Sequence, residues 1–186
     1  MTNKTYLIAG GSSGIGLELV RKLSAQGHEV IVVSRTGESL AGLSGVTHLP
    51  KDILTDDISE AELPGVLHGV AYCPGSITLR PFRSLKPEAF LEDFHINVLG
   101  AVKVLQAAHK ALKQAENASV VLFSTVAVSQ GMPFHASVAA AKAAVEGLAR
   151  SLAAEWAPGI RVNCIAPSLT DTPLAARLLA SPDKRE

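Results

Sequence analysis

The chain has 186 residues, with 17 lysines and arginines against 17 acidic residues, and is 47% hydrophobic but only 4% aromatic. This length predicts one domain whose core needs neither disulfides nor a metal to be stable. Zero net charge argues against a nucleic-acid partner or an acidic membrane surface, and the scarcity of aromatic rings argues against base stacking.

Short apolar runs alternate with segments of helical periodicity along most of the chain. The pattern predicts strands at residues 6–9, 29–33, 46–49, 66–72, 119–123 and 161–165, and helices at residues 17–25, 90–114 and 139–156. Strands that are apolar on both faces and separated by helices are typical of a parallel sheet covered on both sides. We therefore expect an α/β fold, a doubly wound sheet in three layers, forming a single domain over residues 1–186.

The cysteines and the N-terminus exclude further classes of protein. Cys73 and Cys164 lie far apart, without CxxC spacing or a histidine cluster, so we expect no disulfide framework and no metal site. The first residues lack the charged region and long apolar run of a signal peptide, and no window approaches the roughly 18 apolar residues of a membrane span. These features predict a cytoplasmic protein without a membrane partner.

A glycine-rich turn follows the first predicted strand. Gly10, Gly14 and Gly16 lie in the sequence Ala-Gly-Gly-Ser-Ser-Gly-Ile-Gly at residues 9–16, which leads into a predicted helix. Such glycines let the backbone turn sharply and approach a pyrophosphate, which the N–H groups of the helix start then bind. A plain structural turn is the alternative, but the strand–turn–helix context favours phosphate binding.

The spacing of this turn and six later stretches, in the same order, resemble the short-chain dehydrogenase/reductase superfamily. The later stretches are Asp52-Ile53, residues 72–75, Asn97, Ser124-Thr125, Lys142, and residues 161–167. The resemblance covers nearly the whole chain. It implies a Rossmann-type fold, a nicotinamide cofactor, a small-molecule carbonyl or alcohol substrate, and a homo-oligomer.

The resemblance also implies which residues bind the cofactor. They are Gly10, Ser12, Ser13, Gly14, Ile15, Gly16, Ser34, Arg35, Thr36, Asp52, Ile53, Cys73, Pro74, Gly75, Lys142, Pro167 and Thr170. An acidic residue at the end of the second strand would select NAD, whereas Arg35 stands there and can form charge-assisted hydrogen bonds to a 2′-phosphate. NADP is therefore favoured over NAD, the alternative being that Arg35 is a solvated loop charge.

The catalytic residues follow from the same resemblance, with one severe departure. Members carry a proton-donating Tyr four residues before a Lys, a Ser thirteen residues before the Tyr, and an Asn in the preceding helix. Here Lys142 and Asn97 match, Thr125 takes the place of the Ser, and Val138 takes the place of the Tyr. Threonine can still donate a hydrogen bond, but valine cannot donate a proton.

Each of these residues also has a simpler interpretation. His135 lies seven residues before Lys142, and because histidine side chains exchange protons near neutral pH it suits a substitute acid, but it also fits a helix start or a loop. Asn97 fits a cap of a broken helical turn. Lys142 fits a surface lysine, although its alanine-rich surroundings argue against a free solvent face.

Two functions remain open after these residues are considered. The first is an NADP-dependent oxidoreductase that transfers hydride between nicotinamide and a carbonyl or alcohol substrate. The alternative is a catalytically impaired NADP-binding protein that acts as a sensor or oligomer partner. Because only thirteen residues follow Pro173, we also expect the family's usual substrate-covering C-terminal part to be mostly absent.

Overall fold

Six parallel strands form one sheet in the computed structural model, which describes residues 3–176 together with residues 178 and 180. The strands are β1 (Thr5–Ala9), β2 (Glu29–Ser34), β3 (Val46–Pro50), β4 (Gly69–Tyr72), β5 (Ala118–Phe123) and β6 (Ile160–Ile165). Their order across the sheet is β3-β2-β1-β4-β5-β6, and every neighbouring pair is parallel. The predicted α/β, Rossmann-type fold class is confirmed.

Two of the three predicted helices begin three residues earlier than the periodicity predicts, and the third is divided. The helices are α1 (Gly14–Ala25), α2 (Pro87–Phe94), α3 (Gly100–Leu112), α4 (Ala127–Gln130) and α5 (Ala136–Trp156). The single helix predicted over residues 90–114 begins instead at Pro87, a residue whose fixed backbone angle suits a first helical turn. It is also interrupted, because a π-helical segment, His95–Leu99, joins α2 to α3. Short 3₁₀ turns lie at Glu38–Leu40, Glu60–Glu62, Phe82–Ser84 and Pro173–Ala175.

The sheet is buried on both faces, which explains its continuous apolar strands. Successive side chains of a strand point to opposite faces, so Leu7 and Ile8 enter different cores. Leu7 packs in the core that contains Leu105 of α3, whereas Ile8 packs with Val20 of α1. All four side chains are at most 2% exposed. Helices therefore cover both faces of the sheet, as the sequence predicts.

The strand order creates a crevice at the middle of the sheet. The chain leaves β1 for β2 on one side, while β4 lies on the other side of β1 and leads to β5. The connections that follow β1 and β4 therefore diverge, and ligands of such sheets bind at this point, beyond the carboxyl ends of the strands. Within the described part of the chain, every helix is too short or too polar to cross a membrane.

Candidate cofactor and active site

A cavity of about 500 Å³ lies at the carboxyl ends of β1, β2 and β4. It is lined by many of the residues that the resemblance assigns to the cofactor, namely Gly10, Ser12, Ser13, Gly14, Ile15, Gly16, Ser34, Arg35, Thr36, Asp52, Ile53, Cys73, Pro74 and Gly75. The lining also includes Val33, Lys51, Leu54, Ile96, Thr172, Pro173 and Leu174, which sequence reasoning missed. Segments that are far apart in the sequence, from Gly10 to Leu174, thus line one cavity.

The glycine turn is closed so tightly that only glycine fits at two positions. Gly10 has a φ of +73°, in the left-handed region, and its amide donates to Val33 O at 2.8 Å. A Cβ atom at Gly16 would overlap the carbonyl oxygen of Gly10 and lie 3.0 Å from its carbonyl carbon. Ser13, the N-cap of α1, makes no side-chain hydrogen bond to the helix, and the first turn carries no acidic residue. The backbone N–H groups of the first turn of α1 are therefore suited to bind a phosphate.

Arg35 follows the end of β2 and lines the same cavity as the glycine turn. Arg35 is exposed and lines the cavity, whereas Ser34 is buried and its hydroxyl donates to Thr36 O at 2.8 Å. Lys51 is a second cation of the lining, but its Nζ lies 2.6 Å from Glu62 Oε2 in an ion pair. Arg35 is thus the lining cation best placed to pair with an added phosphate.

The segment after β6 reaches the cavity through a different threonine from the one predicted. Thr172 lines the cavity, and a Cβ atom added at Gly14 would lie 3.3 Å from Thr172 Cβ. The Thr170 hydroxyl instead donates to Ser168 O at 3.1 Å, and neither Thr170 nor Pro167 belongs to the cavity lining. Their assignment to the cofactor stays a prediction.

Lys142 and Asn97 converge beside Gly75, at the end of the cavity. A Cβ atom at Gly75 would lie 3.3 Å from Lys142 Nζ and 3.2 Å from Asn97 Oδ1. Lys142 Nζ also donates to Phe123 O at 2.9 Å, which ties α5 to the end of β5. A side chain at Gly75 would occupy the space in which the two polar atoms meet, so glycine keeps this point open for a ligand.

The Lys142 ammonium is in an unusual environment for a lysine. Burial lowers the pKa of Lys142 to about 8, and this effect is partly opposed by Cys164, Cys73 and Asp93. A group with this pKa is mostly protonated at neutral pH and still able to release its proton. This environment contradicts the interpretation of Lys142 as an ordinary surface lysine.

The π-helical segment explains the position of Asn97. Asn97 is 1% exposed, and its Nδ2 donates to Asp93 O, one turn earlier, at 2.8 Å. The segment is also held from the sheet, since the Tyr72 hydroxyl donates to Ile96 O at 2.5 Å. Asn97 therefore stabilises a broken helical turn, as the simpler interpretation predicts, and it also presents Oδ1 toward Gly75. Its catalytic role stays a prediction. Such π segments are frequent at functional sites.

The two hydroxyls after β5 have different surroundings. Ser124 is buried, and its Oγ donates to Glu146 Oε1 at 2.6 Å. Thr125 is half-buried, and its Oγ1 accepts a 3.3 Å hydrogen bond from the Ala127 amide, which leaves the hydroxyl proton to be donated elsewhere. Thr125 is therefore the better candidate for holding a carbonyl oxygen.

No tyrosine of this chain takes the place of the family's proton donor. Val138 lies one helical turn before Lys142 and is only 5% exposed. The chain has two tyrosines. The Tyr72 hydroxyl donates to Ile96 O, and burial raises the pKa of Tyr72, which makes it a poor acid. Tyr6 lies in β1, with its ring centroid 5.4 Å from that of His28.

His135 immediately precedes α5 as its N-cap residue. Its Nδ1 lies 2.7 Å from Pro133 O, and because a carbonyl oxygen only accepts, Nδ1 carries a proton in this contact. The interpretation of His135 as a helix-start residue describes this position. Its role as a substitute acid stays a prediction.

Comparison with known proteins defines the class of protein. The family profile described as short chain dehydrogenase matches residues 4–183. The 3-oxoacyl-[acyl-carrier-protein] reductase MabA of Mycobacterium tuberculosis is 29% identical over 182 residues, which cover 95% of this chain and 73% of that protein. A short-chain type dehydrogenase/reductase from Mycobacterium ulcerans has a similar structure, with a TM-score of 0.88 and 30% identity over 100% of this chain and 74% of its own.

The chain therefore belongs to the short-chain dehydrogenase/reductase superfamily, as its motifs predict. The superfamily consists of oxidoreductases that bind nicotinamide cofactors, act on small molecules and commonly form oligomers. A short-chain dehydrogenase from Shigella flexneri, complexed with NADP, matches with a TM-score of 0.85 and 26% identity, covering 100% of this chain and 85% of its own. The tight glycine turn, the exposed Arg35 and the space beside Gly75 suit a nicotinamide cofactor.

Proposed function

We propose that this protein is an NADP-dependent oxidoreductase that transfers hydride between nicotinamide and a carbonyl or alcohol substrate. The observation that carries the proposal is the convergence of Lys142 Nζ and Asn97 Oδ1 on Gly75, at the end of a cavity that also contains Arg35. The glycine turn would hold the phosphates, Arg35 the 2′-phosphate, and Lys142 with Asn97 the nicotinamide ribose. The bound cofactor supplies or accepts the hydride.

The proton needed for carbonyl reduction must come from a group other than tyrosine, because Val138 occupies that position. Lys142 is our candidate. Its Nζ carries three hydrogens as an ammonium, of which one is donated to Phe123 O. In reduction, hydride adds to the carbonyl carbon, one ammonium proton goes to the oxygen, and the neutral amine regains a proton from solvent. His135, water and the substrate itself are the other sources that the sequence allows.

We expect the rate of carbonyl reduction to fall as the pH rises through about 8. The ammonium form of Lys142 exists below its pKa and is lost above it, so the rate should drop about tenfold per further pH unit. Single-turnover NADPH oxidation, measured across this range with saturating cofactor, gives the profile. Lys142→Arg, which keeps a positive charge but does not titrate there, is the control. A profile that is the same for parent and Lys142→Arg contradicts the assignment.

Replacing Arg35 tests the cofactor preference. Hydrogen bonds to charged groups contribute about 1.5–3 kcal/mol, so Arg35→Ala should weaken NADPH binding about 10–100-fold and leave NADH binding almost unchanged. Fluorescence titration with each cofactor measures both affinities. Arg161→Ala is the matched control, because Arg161 lies on β6, at the opposite edge of the sheet from β2 and β3. An equal loss of affinity for NADPH and NADH would show that Arg35 does not bind the 2′-phosphate.

The second candidate function is an NADP-binding protein with impaired catalysis, acting as a sensor or oligomer partner. Val138 favours it, since an aliphatic side chain in the place of the acid removes one step of the reaction without disturbing the cofactor cavity. Exposed apolar side chains at Leu91, Phe94 and Leu99 also support association with a second copy. Turnover by the parent chain separates the two functions.

A further inference from the structure

A buried acid lies behind the proposed site, in α2. Asp93 is 1% exposed, and its Oδ1 accepts hydrogen bonds from Ser76 Oγ at 2.5 Å and from Thr78 Oγ1 at 3.1 Å. Among the described residues, none donates to its other oxygen, Oδ2. The two hydrogen bonds join α2 to the segment that follows Gly75.

Asp93 is connected to the site through Ser76 and Asn97. Ser76 comes directly after Gly75, and its Oγ accepts a hydrogen bond from Asn97 Nδ2 at 3.0 Å while donating to Asp93. A carboxylate only accepts, so Ser76 must use its single proton toward Asp93 and can only accept from Asn97. The Asn97 amide, whose Nδ2 also donates to Asp93 O, is held with Nδ2 toward Ser76 and Oδ1 toward Gly75 and Lys142.

The Asp93 carboxylate keeps Ser76 Oγ as an acceptor toward Asn97. An asparagine at position 93 could donate to Ser76 Oγ, whose proton would then point toward Asn97 Nδ2, which is also a donor. The Asn97 amide cannot turn around to accept this proton, because Nδ2 also donates to the backbone oxygen of residue 93. The change would therefore cost Asn97 its hydrogen bond to Ser76.

Asp93 also supplies a negative charge near Lys142. The groups that interact with the Lys142 ammonium are Cys164 on β6, Cys73 after β4 and Asp93 on α2. Cys73 and Cys164 are thiols whose pKa is raised by burial, that of Cys73 to about 12. Asp93 is the carboxyl group of the three, and hydrogen bonds through Ser76 and Asn97 connect it to the site.

We propose that Asp93 is a positioning residue of this site, which holds Asn97 in place through Ser76 and supplies a negative charge near the Lys142 ammonium. This inference rests on the proposed function, because it names the group that prepares Lys142 to deliver a proton. It concerns the hydrogen bonds that hold Asn97 and the charge of Lys142. The charge of Lys142 can be measured without cofactor.

The test compares Asp93→Asn, which preserves shape and removes the charge, with Glu92→Gln, the same change at the adjacent exposed position of α2. The rate at which acetic anhydride acylates Lys142 follows the neutral amine, and mass spectrometry measures it across the pH range around 8. We expect the midpoint for Asp93→Asn to fall by about one pH unit, which makes acylation about tenfold faster at a fixed pH below the midpoint. The Glu92→Gln profile should match that of the parent.

Ser76→Ala provides a second, independent variant, since it keeps the carboxylate and breaks the connection to Asn97. We expect its Lys142 midpoint to equal that of the parent, while kcat for NADPH oxidation falls at unchanged KM for NADPH. If Asp93→Asn fails to fold, an unchanged kcat in Ser76→Ala overturns the inference.

Identical Lys142 profiles for Asp93→Asn and the parent also overturn the inference about Asp93. Failure of the proposed function has a different signature, because the parent chain would then not oxidise NADPH, whether or not NADPH binds to it in a fluorescence titration. The Lys142 profile of the unliganded chain still decides the inference about Asp93 in that case.

Discussion

Replacing Val138 by tyrosine is expected to raise the rate of carbonyl reduction by about 10²–10⁴-fold, the usual contribution of a positioned general acid. Residues four apart lie on the same face of a helix, so a phenol at position 138 would stand beside Lys142 Nζ. The ammonium would favour the ionised phenol and lower its pKa toward neutrality. NADPH oxidation with a reactive dicarbonyl, at equal protein concentration, measures the gain.

Val138→Phe is the matched control, because it adds nearly the same volume without the hydroxyl. Val138 is only 5% exposed, so both larger side chains must displace neighbours, and both should lose a similar amount of stability. The rate difference between Tyr and Phe then reports the hydroxyl alone. Equal rates for the two variants would show that position 138 does not face the reacting oxygen.

The parent's own rate in this experiment separates the two candidate functions. Turnover by the parent requires a proton source already in the site, which is the role proposed for Lys142. A silent parent with an active Val138→Tyr variant favours a cofactor-binding protein that has lost its acid. Silence in every variant, with NADPH bound, places the defect outside position 138.

Gly16→Ala is expected to weaken NADPH binding about 10–100-fold and to lower the melting temperature. The added methyl group would overlap the carbonyl oxygen of Gly10, which is backbone and cannot rotate away. Relieving such overlap typically costs about 1–3 kcal/mol, which corresponds to this range of affinity if the turn opens. Fluorescence titration and thermal unfolding give the two values.

Gly147→Ala is the control for this experiment and should have the opposite effect on stability. Gly147 lies within α5, where an added Cβ atom would meet nothing within 4 Å. Alanine in a helix interior is favoured over glycine by about 0.5–1 kcal/mol, so this variant should be slightly more stable, with unchanged NADPH affinity. If Gly16→Ala bound NADPH with the affinity of the parent, the inference that the turn requires glycine at position 16 would be wrong.

The strands were predictable because their signal is local. Five of the six lie within one or two residues of the predicted ranges, since an apolar run buried on both faces needs no knowledge of its neighbours. The exception is β4, predicted from residue 66, which begins at Gly69. Leu67 is fully buried, but its amide donates to Ala111 O of α3 rather than to a strand. In the sequence, a buried leucine in a loop cannot be distinguished from a buried leucine in a strand.

The helix interruption at His95–Leu99 was not predictable from periodicity, although Asn97 was singled out by its motif. The π turn is held by hydrogen bonds to residues on other elements, including Tyr72 of β4. Thr172 was missed for a related reason. It lies two residues from the predicted Thr170, and only the path of the chain after β6 decides which of the two faces Gly14.

The order of strands and helices, the glycine turn and the absence of the usual tyrosine all follow from the amino-acid sequence, because periodicity, backbone freedom and side-chain chemistry are properties of short segments. The charge environment of Lys142 and the buried Asp93–Ser76–Asn97 connection do not. Asp93 and Ser76 are 17 residues apart, and Lys142 lies on another helix. Packing of α2 and α5 beside the end of β4 brings them together and excludes water, so that solvation and hydrogen-bond direction are decided only in the folded chain.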